Sequence, residues 1–364
     1  MPARKITASH LLLASILLWS ALTAAADASL QRQDFFVPGD PDIRLFVREV
    51  SASGSAGQPI LLLHGARVPG LASFDLSVQG GSLAADLAQS GLDVYVMDVR
   101  GYGRSTRPEA MQEPPAMHAP LVRSNEAAHD IGAVIDAIRE RRHVSRVALF
   151  GWATGGQWAG YYASIYPKKV SALIVLNSLY RGNSKQPMIG RGSDLEDPIR
   201  PGQFNQAACE AYRWSSAESL TAGWDRSIPI ADKNAWRDPA VAQAYVEAAL
   251  ASDPESSSQN PPAFRSPCGA LEDSFYLATG RQLWDASLIT APTLILASER
   301  DFWSRPEDRQ NLEADLVHAA RVRTVVIPGA THFVHLDRGD RGRDLLLREV
   351  EGFLGAARQP GSAH

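Results

Sequence analysis

Short apolar runs and longer stretches with apolar positions at helical spacing alternate along most of this chain. The runs at 60–63, 93–97, 147–150 and 172–176 are too short for helices and place Val, Ile and Leu on consecutive positions, the pattern of strands buried on both faces. The stretches 82–89, 125–141 and 156–166 between them predict amphipathic helices, so a mostly parallel sheet covered by helices is expected. Upstream, 35–37 and 43–50 flank the turn Pro38-Gly39-Asp40-Pro41, which predicts an opening antiparallel hairpin. From about 180 to 286 the alternation stops. That stretch is rich in Pro, Ser, Asp and Trp and offers helical patterns such as 241–249 but no strand run. Alternation resumes at 293–297, 306–319, 322–327 and 341–353. One α/β core made of 27–179 and 287–364, interrupted by a cap of helices and loops at 180–286, accounts for this order better than a structureless excursion of that length.

The 364 residues leave room for a sizeable core, and 45% hydrophobic with 21% charged residues are globular values. A net charge of −4 lacks the basic excess of a nucleic-acid binder and leaves a small molecule as the expected partner. At the amino end Arg4 and Lys5 precede an apolar run over 11–22 that closes on Ala24-Ala25-Ala26, the layout of a cleavable secretory signal. The run is too short to span a bilayer. Cleavage after Ala26 would start the mature chain at Asp27, lower its charge from −4 to −6, and leave it secreted or periplasmic without a membrane anchor. In such an oxidising compartment Cys209 and Cys268, the two cysteines of the chain, are expected to pair, two separate buried thiols being the alternative. No C-x-x-C or H-E-x-x-H spacing occurs, so neither metal nor cofactor is expected.

Candidate chemistry lies just after the predicted strands. At Gly151-Trp152-Ala153-Thr154-Gly155-Gly156 a strand ends in a glycine-flanked turn and a helix begins, the context of a nucleophile elbow. Pro59 to Ala66 runs from a strand into His64-Gly65, and Asp98-Val99-Arg100-Gly101-Tyr102-Gly103-Arg104-Ser105 follows another. The run 293–297 leads to Ser298-Glu299-Arg300-Asp301, and the last strand leads to Gly329-Ala330-Thr331-His332. In order and spacing these segments resemble the α/β-hydrolase superfamily over about 35–354.

The resemblance implies an α/β-hydrolase fold and a carboxylic-ester hydrolase that works through an acyl-enzyme. It puts the nucleophile position at Ala153, the acid at Asp301 with Glu299 as fallback, and the base at His332 with His335 as the less favoured choice. The oxyanion donors would be the backbone N–H groups of Ala66 and Thr154. His64 and Ser105 are read as turn residues, and His335 as facing solvent or the cap. The departure is at Ala153, which has no hydroxyl to attack with. Three explanations stay open: an engineered Ser-to-Ala replacement, natural loss leaving a silent small-molecule binder, or another nucleophile such as Thr154 or water activated by His332. Retention of Asp301 and His332 favours a serine recently lost or replaced; an intact signal segment weighs against deliberate replacement. For the pocket, Trp152 beside the elbow and Trp214 and Trp224 in the cap are the candidate walls, with an ester bearing an apolar or aromatic part as the expected substrate.

Overall fold

The computed structural model describes residues 29–53 and 57–358; the expected signal at 1–26 lies outside them. In chain order the strands are β1 (Leu30–Pro38), β2 (Arg44–Ala52), β3 (Gln58–Leu63), β4 (Leu92–Met97), β5 (Val147–Trp152), β6 (Val170–Leu176), β7 (Tyr212–Ser216), β8 (Ala263–Pro267), β9 (Thr293–Arg300) and β10 (Val322–Thr331). The helices are α1 (Gly70–Phe74), α2 (Leu83–Gln89), α3 (Ser124–Arg142), α4 (Thr154–Ile165), α5 (Ala217–Ser227), α6 (Pro239–Ala251), α7 (Gly269–Ala278), α8 (Pro306–Asp315) and α9 (Arg343–Arg358). Eight strands form one sheet in the order β1-β2-β4-β3-β5-β6-β9-β10. The hairpin β1-β2 is antiparallel, with Pro38 opposite Arg44, and β2 joins β4 antiparallel. From β4 across to β10 every pairing is parallel.

The continuous apolar runs have a simple cause, because neighbouring strand residues point to opposite faces and helices cover both. Ile60 and Leu62 of β3 join Val94, Phe150, Ile174 and Leu296 in one layer, closed by Leu83 and Leu87 of α2 and by Leu346 and Val350 of α9. Leu61 and Leu63 join Tyr95, Leu149, Leu173 and Ile295 in the other, closed by Ile131 and Ile135 of α3 and by Trp158 and Tyr162 of α4. Each fully buried Leu or Ile in these layers contributes about 1.5–3 kcal/mol. Side chains also set the helix starts. Ser82 accepts from the Ala85 N–H at 2.9 Å to begin α2, and Asp238, before Pro239, accepts from the Ala240 N–H at 2.8 Å to begin α6.

The Asp98–Ser105 turn holds strand ends together. Asp98 accepts from the N–H groups of Gly70 (2.7 Å) and Arg104 (2.9 Å), and the Ser105 hydroxyl donates to the Asp98 carbonyl at 2.6 Å. Three departures from the sequence pattern stand out. Helix α4 begins at Thr154, directly on the elbow, and α8 stops at Asp315, short of 319. Between β6 and β9, where no strand run is visible in sequence, β7 and β8 pair antiparallel outside the main sheet, with Tyr212 opposite Pro267. Both are five-residue strands whose partner is distant in sequence, so no local periodicity announces them. The disulfide Cys209–Cys268 flanks this pair, with Cα atoms 5.7 Å apart and a sequence separation of 59. Closing a loop of that size constrains the unfolded chain by on the order of 4 kcal/mol in the chain-entropy model. Among the described residues no helix is long and apolar enough to cross a membrane.

Candidate active site

Strand β5 ends at Trp152 and α4 starts at Thr154, which leaves Ala153 alone to turn the chain, at φ 53° and ψ −117°. A residue with a Cβ pays about 1–3 kcal/mol for such a backbone, so the surroundings must impose it. They do so by close approach. A Cβ on Gly151 would lie 2.2 Å from the Gly155 carbonyl oxygen, and one on Gly155 would lie 2.0 Å from that of Leu63. Only glycine fits at either place. The Ala153 N–H donates to the Leu176 carbonyl at 2.8 Å, tying the turn to β6. Ala153 therefore stands at the carboxyl edge of the sheet, facing a cavity of about 340 Å³.

His332 follows β10 and lines the same cavity. Its Nδ1 lies 2.6 Å from Oδ1 of Asp301, which follows β9; both side chains are buried, at 7% and 3% exposure. A carboxylate only accepts, so the proton sits on Nδ1 and Nε2 is left as the acceptor. Asp301 is held in turn by the N–H groups of Trp303 (3.0 Å) and Ser304 (2.9 Å) and by the Ser304 hydroxyl (2.5 Å). The rings of Phe302 and Trp152 pack on the imidazole at centroid distances of 4.7 and 5.1 Å. Its backbone is fixed as well, since the His332 carbonyl accepts from Trp152 Nε1 (3.0 Å) and Asn177 Nδ2 (3.2 Å).

The structure thus brings Ala153, His332, Ala66, Thr154 and Trp152 to one cavity, with Asp301 behind His332. Thr154 opens α4, where the first amides have no intrahelical acceptor and the helix dipole favours negative charge. The Ala66 carbonyl accepts from the Tyr102 hydroxyl at 2.8 Å, which anchors the peptide that follows the Ala66 N–H. Glu299 is not beside the imidazole: it is exposed and accepts from the Gly329 N–H at 2.6 Å. His64 is a turn residue, buried and pushed down to about 4 by desolvation, with Nε2 accepting from the Val99 N–H at 3.2 Å.

Three expectations need correction. His335 does not face solvent or the insertion. It is fully buried against Trp152 and Phe74, and burial holds it well below the usual imidazole range. Trp214 and Trp224 do not line the cavity. Side chains alternate along β7, so Arg213 takes the cavity side and Trp214 turns toward Tyr212, with ring centroids 6.2 Å apart. Helix α5 presents Leu220 and Gly223 to the cavity while Trp224 stacks on Phe333 at 4.9 Å and donates to Asp337 at 2.8 Å. The walls that sequence reasoning missed are Phe302, Trp303 and Phe333, each within two residues of Asp301 or His332, together with Arg67, Arg213 and Tyr245. The first three were within its reach, since neighbours of a site residue on a short loop share its site.

Comparison with known proteins bears on the fold. The family described as alpha/beta hydrolase fold matches residues 58–339, most of the chain. The chain belongs to the α/β-hydrolase family. An abhydrolase domain-containing protein, abhd-5.2, of Caenorhabditis elegans is 32% identical over 120 residues, 33% of this chain and 23% of that relative. The match therefore spans about a quarter of the relative's length. Among solved structures, a malate-bound thermophilic esterase from Thermogutta terrifontis aligns with a TM-score of 0.55 at 18% identity, covering 90% of this chain and all of that one. A serine-to-alanine mutant of a meta-cleavage product hydrolase from Pseudomonas fluorescens, complexed with acetates, aligns with a TM-score of 0.56 at 17% identity, covering 89% and 98%. At such identities these likenesses concern the fold.

Proposed function

We propose that this α/β-hydrolase is built for carboxylic-ester hydrolysis of the acyl-transfer kind, and that with Ala153 at the nucleophile position it binds esters without forming an acyl-enzyme. The observation that carries the reading is the 2.6 Å contact between Asp301 and His332 Nδ1, which leaves Nε2 as an acceptor in the cavity that Ala153 also lines. With a hydroxyl at 153, His332 would take its proton as the oxygen attacks the ester carbon. The N–H groups of Ala66 and Thr154 would hold the developing oxyanion; His332 would return the proton to the leaving alcohol, and water would release the acid. Residues 180–286 serve as the cap that closes the cavity from above the sheet edge. The disulfide supports export to the periplasm or beyond, where such a bond persists.

The test is hydrolysis of a panel of short-acyl and aromatic esters by the chain as it stands, by Ala153→Ser, and by Ala153→Ser with His332→Ala. Serine-hydrolase behaviour predicts a gain of about a million-fold on the best ester, lost again with the histidine. A folded serine variant without gain on any ester would leave a small-molecule binder in place of a hydrolase. Turnover by the unsubstituted chain that disappears in His332→Ala would point to water as the nucleophile.

A further inference from the structure

The cavity over Ala153 is largely apolar, with Val68, Leu220, Leu271 and Phe333 among its walls, yet Arg67, Arg213 and Arg226 line it too. Among the described residues its one lining carboxylate, Asp194, is exposed, as is Arg226. Three buried guanidiniums elsewhere in this chain each meet a buried acid: Arg100 pairs with Asp130 at 2.5 Å, Arg265 with Asp253 at 2.8 Å and Arg305 with Asp308 at 2.8 Å. Arg67 spends its donors on neutral oxygens, reaching Ser215 Oγ (3.2 Å), the Ser219 carbonyl (2.8 Å) and Ser219 Oγ.

Arg213 differs from all of these. Its Nε is buried without a hydrogen-bond acceptor among the described residues. Burial and the neighbouring Arg67 cation push it down to about 10, which leaves it cationic at neutral pH, and among the described residues no carboxylate pairs with it. Arg213 as a whole is half-buried and lines the cavity, and its terminal nitrogens meet no acceptor among the described residues, so an anion in the cavity would complete a guanidinium that the protein leaves unpaired.

We propose that Arg213 forms a carboxylate subsite: the substrate is an ester with an apolar body and one carboxylate, which pairs with the Arg213 fork while the ester group lies over Ala153. The inference rests on the ester reading above. A carboxylate is favoured over a phosphate because Arg67 is already engaged, which leaves one planar fork for one planar monoanion inside a mainly apolar wall.

The test uses the unsubstituted chain, whose missing nucleophile lets esters be titrated by calorimetry. Monophenyl succinate, its neutral methyl ester and phenyl phosphate are the probes. The hemiester should bind about ten- to a hundredfold tighter than the methyl ester, the range of a charge-assisted hydrogen-bonded pair. Arg213→Gln should bring the two within about twofold, while Arg226→Gln at the rim keeps the preference. Equal binding of the acid and its methyl ester by the unsubstituted chain overturns the proposal even if Arg213→Gln fails to fold. So does a preference that survives in folded Arg213→Gln or vanishes in Arg226→Gln, and tighter binding of phenyl phosphate overturns the choice of carboxylate. The two readings fail separately: hydrolysis of neutral esters by Ala153→Ser without the acid preference removes the subsite alone, whereas the preference without any hydrolysis removes the ester chemistry alone.

Discussion

Ala153 keeps a backbone conformation that an alanine has no need of. At φ 53° the turn is strained, and the glycines at 151 and 155 pack too closely for it to relax. Asp301 is as specialised. Two N–H groups and a hydroxyl converge on it while it grips Nδ1 of His332, so its contribution is to fix the tautomer that leaves Nε2 free. In the Ala153→Ser background, Asp301→Asn should therefore lower kcat by about ten-thousandfold with little change in KM, because an amide that donates to Nδ1 forces the proton onto Nε2. Steady-state kinetics on the best ester checks this; a loss seen only in KM would assign Asp301 to binding. The positions of Ala153, Asp301 and His332 were legible in sequence because each follows a strand at a motif. Arg213 was not, since it lies on a strand whose partner is far away in the chain.

At the scale of elements, the loop after β10 is locked to α5 by one carboxylate. Asp337 accepts from Trp224 Nε1 at 2.8 Å and from the Thr331 hydroxyl at 2.6 Å, which ties the helix over the cavity to the strand that delivers His332. Burial outweighs these donors and raises the acid from 3.8 to about 6. Between those values the folded state binds more protons than the unfolded one, so this group's stabilisation is complete below about pH 4 and is lost as pH rises through about 6. Asp337→Asn keeps the shape and removes the titration. Its unfolding free energy relative to the unsubstituted chain should rise by about 2 kcal/mol from pH 4 to pH 7, because each tenfold difference in proton affinity between folded and unfolded states is worth about 1.4 kcal/mol and the unfolded acid is already half ionised near pH 4. Urea melts at the two pH values measure it, and a difference that stays constant would show that Asp337 titrates normally. The strands of the main sheet were readable because burial on both faces leaves consecutive Val, Ile and Leu. Strands β7 and β8 carry polar residues in a short long-range pair and left no such trace.

Across the whole molecule, the parallel strands deliver every element of the site to one edge: the Ala66 turn after β3, the elbow after β5, Asp301 after β9 and His332 after β10. The segment between β6 and β9 supplies the remaining walls, including the arginines at 213 and 226. This division explains what sequence could reveal. The sheet edge is built from local motifs, whereas the cavity's charge depends on how distant segments fold over it, so the substrate's expected carboxylate emerged only from the assembled cavity. The proposed ester chemistry requires this edge to activate a nucleophile once one stands at 153. Labelling by a fluorophosphonate, which modifies a serine only when a neighbouring base and oxyanion donors activate it, tests that most directly. Peptide mapping should find the adduct on residue 153 of Ala153→Ser, none on the unsubstituted chain, and none after His332→Ala is added. A folded Ala153→Ser protein that stays unlabelled would rule out activation at this edge.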